Sequence, residues 1–202
     1  MYKAIGFDYG GVLAGEPAKG FNQKIQDLLG LSEDEYKTIY FKHYKKSNRG
    51  EISWEELWKT ILDELGQSEK WQDFQKISDA QVKKLKTINQ DLVNLIDTLK
   101  AKGYKIGILS NNSKEAAEHM RLKLSDHVDV IRVSAETGFV KPESAGFKDF
   151  AKALGVDLSQ LIFVDDSENS LKTAKDCGFT DILYRSYDQL VQDLQKLEIL
   201  WG

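Results

Sequence analysis

The chain has 202 residues, with 28 Lys and Arg against 32 Asp and Glu for a formal charge of −4, and it is 41% hydrophobic and 30% charged with two prolines. This is the composition of a globular chain long enough to bury a core; it excludes a disordered or collagen-like chain and Pro-rich linkers, and it offers no basic surplus for nucleic acid. A lone cysteine, Cys177, permits no internal disulfide. No segment approaches the ~20 apolar residues of a membrane span, and the amino-terminal apolar run is broken at Asp8. The expectation is a cytoplasmic protein with no nucleic-acid or membrane partner.

In chain order, Lys3–Phe7 reads as a short buried strand that stops at Asp8, where Tyr9-Gly10-Gly11 breaks it. From about Lys19 to Lys86 only helical patterns occur. The clearest has Trp54, Leu57, Trp58, Ile61, Leu62 and Leu65 on one face, with Ser53 as N-cap, Gly66 as stop, and a turn at Asn48-Arg49-Gly50 before it. Ile88, Leu92, Leu95, Ile96 and Leu99 predict a helix ended at Gly103. A strand follows over Tyr104–Leu109, closing on Ser110-Asn111-Asn112, then a helix over Ser113–Leu124 and a strand over Val128–Val133. Phe147, Phe150, Ala151 and Leu154 predict a helix ended by Gly155, and Leu161–Val164 a strand ending at Asp165-Asp166. Leu171, Ala174 and Cys177 lie on one helical face ended by Gly178; a strand over Asp181–Tyr184 and a helix over Tyr187–Leu200 complete the chain.

Strands alternating with helices predict an α/β fold, a Rossmann-like parallel sheet core with helices on both faces. The all-helical stretch predicts an inserted helical cap subdomain at 17–83, with the core made of 1–16 and 84–202. In such a sheet, ligands bind beyond the carboxyl ends of the strands. Asp8, Ser110, Asn111, Asp165 and Asp166 all fall at such ends. Converging carboxylates repel one another, and the usual remedies are raised pKa values or a bound cation; hard oxygen ligands favour Mg²⁺. Lys141, in Gly138-Phe139-Val140-Lys141-Pro142, is the candidate for fixed positive charge, because the following proline restricts its backbone.

In these residues the sequence resembles the haloacid dehalogenase (HAD) superfamily, specifically its small phosphatase-like branch with a helical cap after the first strand. Phe7-Asp8-Tyr9-Gly10-Gly11-Val12-Leu13, Ile108-Leu109-Ser110-Asn111-Asn112, Lys141-Pro142 and Phe163-Val164-Asp165-Asp166-Ser167-Glu168-Asn169-Ser170 match its four motifs in order. The resemblance implies a Mg²⁺-dependent phosphatase of a small phosphorylated metabolite, sugar phosphates among the candidates. It implies Asp8 as the nucleophile that becomes an aspartyl phosphate, and Ser110 with the backbone N–H of Asn111 as phosphate ligands. Lys141 would balance charge as both catalytic and phosphate-binding residue. Asp8, the Gly10 carbonyl, Asp165 and Asp166 would be the metal site. The sequence departs from the common pattern at Gly10, where a second Asp serves as general acid and base, help typically worth ~10²–10⁴-fold; the Asp-Tyr-Gly-Gly-Val motif resembles a branch that also lacks it. Without that acid, aryl phosphates, acyl phosphates and sugar 1-phosphates are the favoured substrates, and Glu16 is a candidate replacement. Two other readings stand beside this one: a metal-independent haloacid dehalogenase, against which Asp165-Asp166 speaks, and a catalytically inactive binding protein.

The remaining features read as structure. Cys177 is a buried thiol, His119 and His127 are surface or satisfied residues, and Trp54, Trp58 and Trp71 fill the cap. Lys42, His43, Lys45, Lys46 and Arg49 form a solvated basic helix end. Oligomeric state leaves no mark in the sequence.

Overall fold

A computed structural model of the chain describes residues 1–15, 20–85 and 87–200, without the side chains at 81 and 83–85. Five parallel strands, β1 (Ala4–Phe7), β2 (Lys105–Ser110), β3 (Val130–Val133), β4 (Leu161–Asp165) and β5 (Thr180–Leu183), form one sheet in the order β3-β2-β1-β4-β5. Parallel neighbours need long crossovers, and helices supply them. After β1 come α1 (Phe21–Leu29), α2 (Glu33–Asn48), α3 (Trp54–Glu64), α4 (Trp71–Leu85) and α5 (Gln90–Ala101). Next are α6 (Lys114–Leu124), α7 (Ser134–Thr137), α8 (Ser144–Leu154), α9 (Glu168–Leu171), α10 (Ala174–Cys177) and α11 (Tyr187–Lys196). The strand order reverses direction at β1, so the crevice between the carboxyl ends of β1 and its neighbours is where a ligand fits.

Because both faces of the sheet are covered, β1 and β4 are buried along their whole length and read as apolar runs, broken in β4 only by the terminal Asp165. Ile5, Phe7, Ile106, Ile108, Ile162 and Val164 point to one face and meet α5, α6 and α11 through Leu92, Ile96, Met120, Leu190 and Leu194. Ala4, Leu109, Leu161 and Phe163 point to the other and meet Phe147, Phe150 and Leu154 of α8. On that face Gly6 and Gly107 are register partners, and a Cβ on either would stand 2.5 or 2.7 Å from the ring of Phe150. Two adjacent glycines thus make the hollow that the ring fills.

The helices α1–α4 close around a core of their own, with Phe21, Ile25, Leu57, Trp58, Ile61 and Phe74 inside. Trp58 is fully buried, and Trp54 and Trp71 pack partly buried beside it, as expected. Their starts follow from local chemistry: Ser32 with Glu35 opens α2 and Ser53 with Glu56 opens α3, each as a reciprocal capping box.

Several expectations need correction. The helix expected through Leu171, Ala174 and Cys177 is two short helices, α9 and α10. The break lets the Thr173 hydroxyl donate to the Pro142 carbonyl at 2.8 Å, and Cys177 is only partly buried. The last helix stops at Lys196, because Glu198 turns left-handed at φ 59° and returns Ile199 and Leu200 to the core. His119 is only partly exposed and not fully satisfied: its Nε2 is buried with no hydrogen-bond partner among the described residues. His127 is satisfied by Asp97 at 2.7 Å. The basic end of α2 is divided: Lys42 and His43 both bind Glu64 of α3, while Arg49 turns to the sheet domain. Glu16 lies outside the described residues. No helix of the described residues is long and apolar enough to cross a membrane.

Candidate active site

Three adjacent strands deliver the site. Asp8 follows the last residue of β1, and its N–H donates to the Val164 carbonyl of β4 at 2.8 Å, which fixes the carboxylate at the central strand end. Ser110 is the last residue of β2 and Asp165 the last of β4, both buried, and Asp166 follows exposed. Carboxylate oxygens of Asp8, Asp165 and Asp166 all lie within 4.8 Å of one another.

Lys141 enters from the turn between α7 and α8. Its side chain is 2% exposed, and its Nζ lies 2.8 Å from Asp8 Oδ1 and 2.5 Å from Asp165 Oδ2. Burial alone would lower the pKa of this amine, but the two carboxylates outweigh it and hold it above the usual lysine value. The ammonium also lies 5.3 Å from the centre of the Phe163 ring. What keeps the lysine in place is Asn111: its Oδ1 accepts from Lys141 N–H at 2.8 Å and its Nδ2 donates to the Lys141 carbonyl at 2.9 Å. The bond between Lys141 and Pro142 is cis.

Asp165 is likewise committed, accepting from Lys141 on Oδ2 and from the Ser167 N–H on Oδ1 at 2.9 Å. Its pKa is raised, first by burial and then by repulsion from Asp8, against the pull of Lys141. Although its outer edge is exposed, Asp166 is pushed up to about 6 by partial desolvation within the site and by the charges of Asp8 and Asp165. One buried ammonium therefore faces three carboxylates, and the surplus negative charge falls on the side of Asp166. An all-oxygen donor set with surplus negative charge fits a hard divalent cation such as Mg²⁺.

The loop after Asp8 is shaped around this set. Gly11 N–H donates to the Ala14 carbonyl at 3.0 Å and Ala14 N–H to the Tyr9 carbonyl at 2.8 Å. Gly11 has φ +82°, and a Cβ there would stand 2.1 Å from Asp166 Oδ2. Gly10 is not among the glycines with positive φ. The Tyr9 side chain points into the sheet core, where burial pushes its hydroxyl up to about 12.

A family model described as haloacid dehalogenase-like hydrolase matches residues 2–178. The chain belongs to the haloacid dehalogenase-like hydrolases. Among curated relatives of this hydrolase, bifunctional epoxide hydrolase 2 of Mus musculus is 24% identical over 216 aligned positions, which cover 96% of the chain and 38% of the mouse protein. The chain therefore spans well under half of that relative. Phosphatase MT3486 of Mycobacterium tuberculosis (strain CDC 1551 / Oshkosh) is 30% identical over 109 residues, 50% of each chain. A magnesium complex of the HAD family enzyme BT-2542 from Bacteroides thetaiotaomicron is similar to the hydrolase with a TM-score of 0.71 at 20% identity, over 95% of this chain and 98% of that one. A HAD-like family hydrolase from Porphyromonas gingivalis is similar with a TM-score of 0.75 at 20% identity, over 98% of both chains. These two likenesses establish the fold.

The structure gathers Asp8, Ser110, Asn111, Asp165 and Asp166 of the hydrolase at the ends of β1, β2 and β4 and brings Lys141 to them from the turn between α7 and α8. Three contributions were missed in the sequence. The Asn111 side chain holds the lysine, whereas the motif implies only its backbone N–H as a ligand. The Ser167 N–H occupies Asp165. Tyr44 of α2 lies near enough to Lys141 and Asp8 for their charges to act on its hydroxyl. The first two sit inside recognisable motifs, whereas Tyr44 carries no local signal.

Proposed function

We propose that the protein is a Mg²⁺-dependent phosphatase that hydrolyses a small phosphorylated metabolite through an aspartyl phosphate on Asp8. The observation that carries this reading is the lysine bridge, with Lys141 Nζ at 2.8 Å from Asp8 and 2.5 Å from Asp165 beside the exposed carboxylate of Asp166. Phosphoryl transfer asks a protein mainly for positioning and charge balance. Two similar proteins lend support: one is named a phosphatase, and BT-2542 has been solved with magnesium and inorganic phosphate.

In this reading Lys141, 2.8 Å from Oδ1, holds Asp8 in place, so that a carboxylate oxygen attacks phosphorus while the bond to the leaving oxygen breaks. The Ser110 hydroxyl and the Asn111 N–H donate to phosphate oxygens; the Asn111 side chain is already spent on Lys141. Asp8, the Gly10 carbonyl and Asp166 would hold Mg²⁺, with Asp165 contributing charge because its oxygens already accept from Lys141 and Ser167. The ion would neutralise charge on the transferring group. Water then hydrolyses phospho-Asp8. Helices α1–α4 act as the cap over this centre, and Gly10, offering no acid, favours substrates whose leaving groups depart without protonation. The test is release of phosphate from a metabolite panel with and without Mg²⁺, set against release of chloride from 2-haloacids in EDTA. Mg²⁺-dependent phosphate release is expected; chloride release in EDTA without phosphate release would overturn the reading.

A further inference from the structure

Lys141 and Pro142 lie in a turn outside every strand and helix, and side chains satisfy the backbone groups that a ladder would otherwise take. Asn111, just after β2, accepts from the Lys141 N–H at 2.8 Å and donates to the Lys141 carbonyl at 2.9 Å. Pro142 has no N–H, and its carbonyl accepts from the Thr173 hydroxyl at 2.8 Å. The flanks of the turn are held as well. Arg49, just after α2, donates from Nη1 to the Gly138 carbonyl at 2.9 Å and pairs through Nη2 with Glu143 at 2.5 Å. Beside it, a Cβ on Gly50 would stand 2.1 Å from the Ala135 carbonyl oxygen, so the end of α2 and α7 meet backbone to backbone.

Thr173 precedes α10, at φ −94° and ψ 0°, a position where a threonine hydroxyl ordinarily accepts from an N–H of its own helix. The Thr173 side chain makes no such bond. Its hydroxyl donates instead to a carbonyl 31 residues away in sequence. The segment that carries it continues from β4. Asp165 at the end of β4 accepts from the lysine ammonium at 2.5 Å, and Thr173, past α9, holds the backbone of the lysine turn. One stretch of chain thus grips Lys141 at its ammonium and at its root.

We infer that Thr173 is a positioning residue for Lys141, a role that rests on the phosphatase reading above. Its hydroxyl pins the Pro142 carbonyl and so fixes the direction in which the lysine side chain leaves the turn. The Asn111 amide grips Lys141 alone; the Thr173 bond, one residue on, adds a second fixed point and opposes rotation about the first. The tolerance is narrow, because one ammonium reaches Asp8 at 2.8 Å and Asp165 at 2.5 Å together. A shift of about 1 Å would break one of the two contacts, and misplacement of that order costs up to about 10²-fold in rate. Thr173 holds the lysine turn and not the substrate, and in this reading Ser110 and the Asn111 N–H remain as phosphate ligands. Its loss therefore bears on kcat more than on KM.

The test compares the wild-type protein with Thr173→Val, which removes the hydroxyl at nearly constant shape, with Thr173→Ala and with Thr173→Ser, on para-nitrophenyl phosphate with Mg²⁺. Thr173→Val and Thr173→Ala should each lower kcat about 10-fold with KM within about twofold, and Thr173→Ser, which keeps the donor, should recover most of the rate. In the same proteins without metal or substrate, the Lys141 and Glu143 amides should exchange hydrogen about 10-fold faster in Thr173→Val and Thr173→Ala than in wild type and Thr173→Ser. Wild-type kcat in Thr173→Val and Thr173→Ala, a loss in Thr173→Ser as large as in Thr173→Val, or unchanged exchange would each overturn the proposal. If the wild-type protein releases no phosphate from any phosphate ester, the phosphatase reading falls, and the exchange comparison alone decides whether Thr173 holds the lysine turn.

Discussion

A methyl group on Gly11 would stand 2.1 Å from Oδ2 of Asp166, and the residue's φ of +82° is one that side chains rarely adopt. Gly11→Ala is therefore expected to cost about 1–3 kcal/mol of stability and to displace Asp166. Differential scanning fluorimetry should show a lower Tm and loss of the Mg²⁺-induced rise expected of wild type by mass action. Asp166 itself carries a pH dependence. Its pKa, raised from the model-peptide value of 3.8 to about 6, means that the folded, metal-free protein holds this proton more tightly than the unfolded chain. Its contribution to stability is then present at low pH and is lost as pH rises through about 6. The side chain is exposed, so solvent screening keeps the effect modest. A cation reverses the sign, because it competes with the proton for the carboxylate. In EDTA the Tm should drift downward from pH 4.5 toward 6.5 on this group's account, while the gain from Mg²⁺ should grow over the same interval. A gain from Mg²⁺ independent of pH would contradict the role of Asp166. Residues of this kind were legible in the sequence because each interrupts a strand pattern: Asp8, Ser110 and Asp165-Asp166 stop apolar runs. The Asn111 amide was not, since an Asn after a strand reads equally as a turn former, and only the tertiary fold brings Lys141 to it.

At the scale of elements, local chemistry was readable where it is self-contained. Ser53 and Gly66 bound α3 as expected: the Ser53 side chain accepts from the Glu56 N–H at 3.1 Å, and Gly66 turns left-handed at φ +67°. Ser53→Ala should lower stability by about 1 kcal/mol, checked by urea denaturation, with the Mg²⁺ response unchanged because α3 buries its apolar face within the core shared by α1–α4. Where long-range contacts intervene, the pattern misled. Leu171, Ala174 and Cys177 hold helical spacing across α9 and α10, yet Thr173 between them reaches Pro142 of the lysine turn. Apolar spacing reports which side chains face inward, and it does not reveal a break that serves a distant carbonyl. α7 is too short to show a period at all.

The whole molecule is a parallel sheet flanked by helices, with α1–α4 closing a core of their own and touching the rest of the chain at Arg49 and Gly50. Ordered motifs on successive strand ends made the sheet legible. The contact was not, because Arg49 and Gly50 meet partners some 90 residues away in sequence, as in the bond from Arg49 to Gly138 with a separation of 89. Arg49 is partly exposed, and such pairs contribute about 0–1 kcal/mol. Arg49→Ala should therefore barely move the Tm while raising KM several-fold, as the end of α2 loosens from the lysine turn; a steady-state assay beside a melting curve separates the two effects. A large loss of stability with unchanged KM would show that the contact serves folding alone.

The account centres on phosphoryl transfer to Asp8, and rapid acid quench during turnover of a 32P-labelled aryl phosphate tests it most directly. With Mg²⁺, label should appear on the peptide containing Asp8 before steady state, and it should be absent in EDTA and in Asp8→Asn, a nearly isosteric change. Phosphate release with no labelled protein, or label persisting in Asp8→Asn, would contradict it.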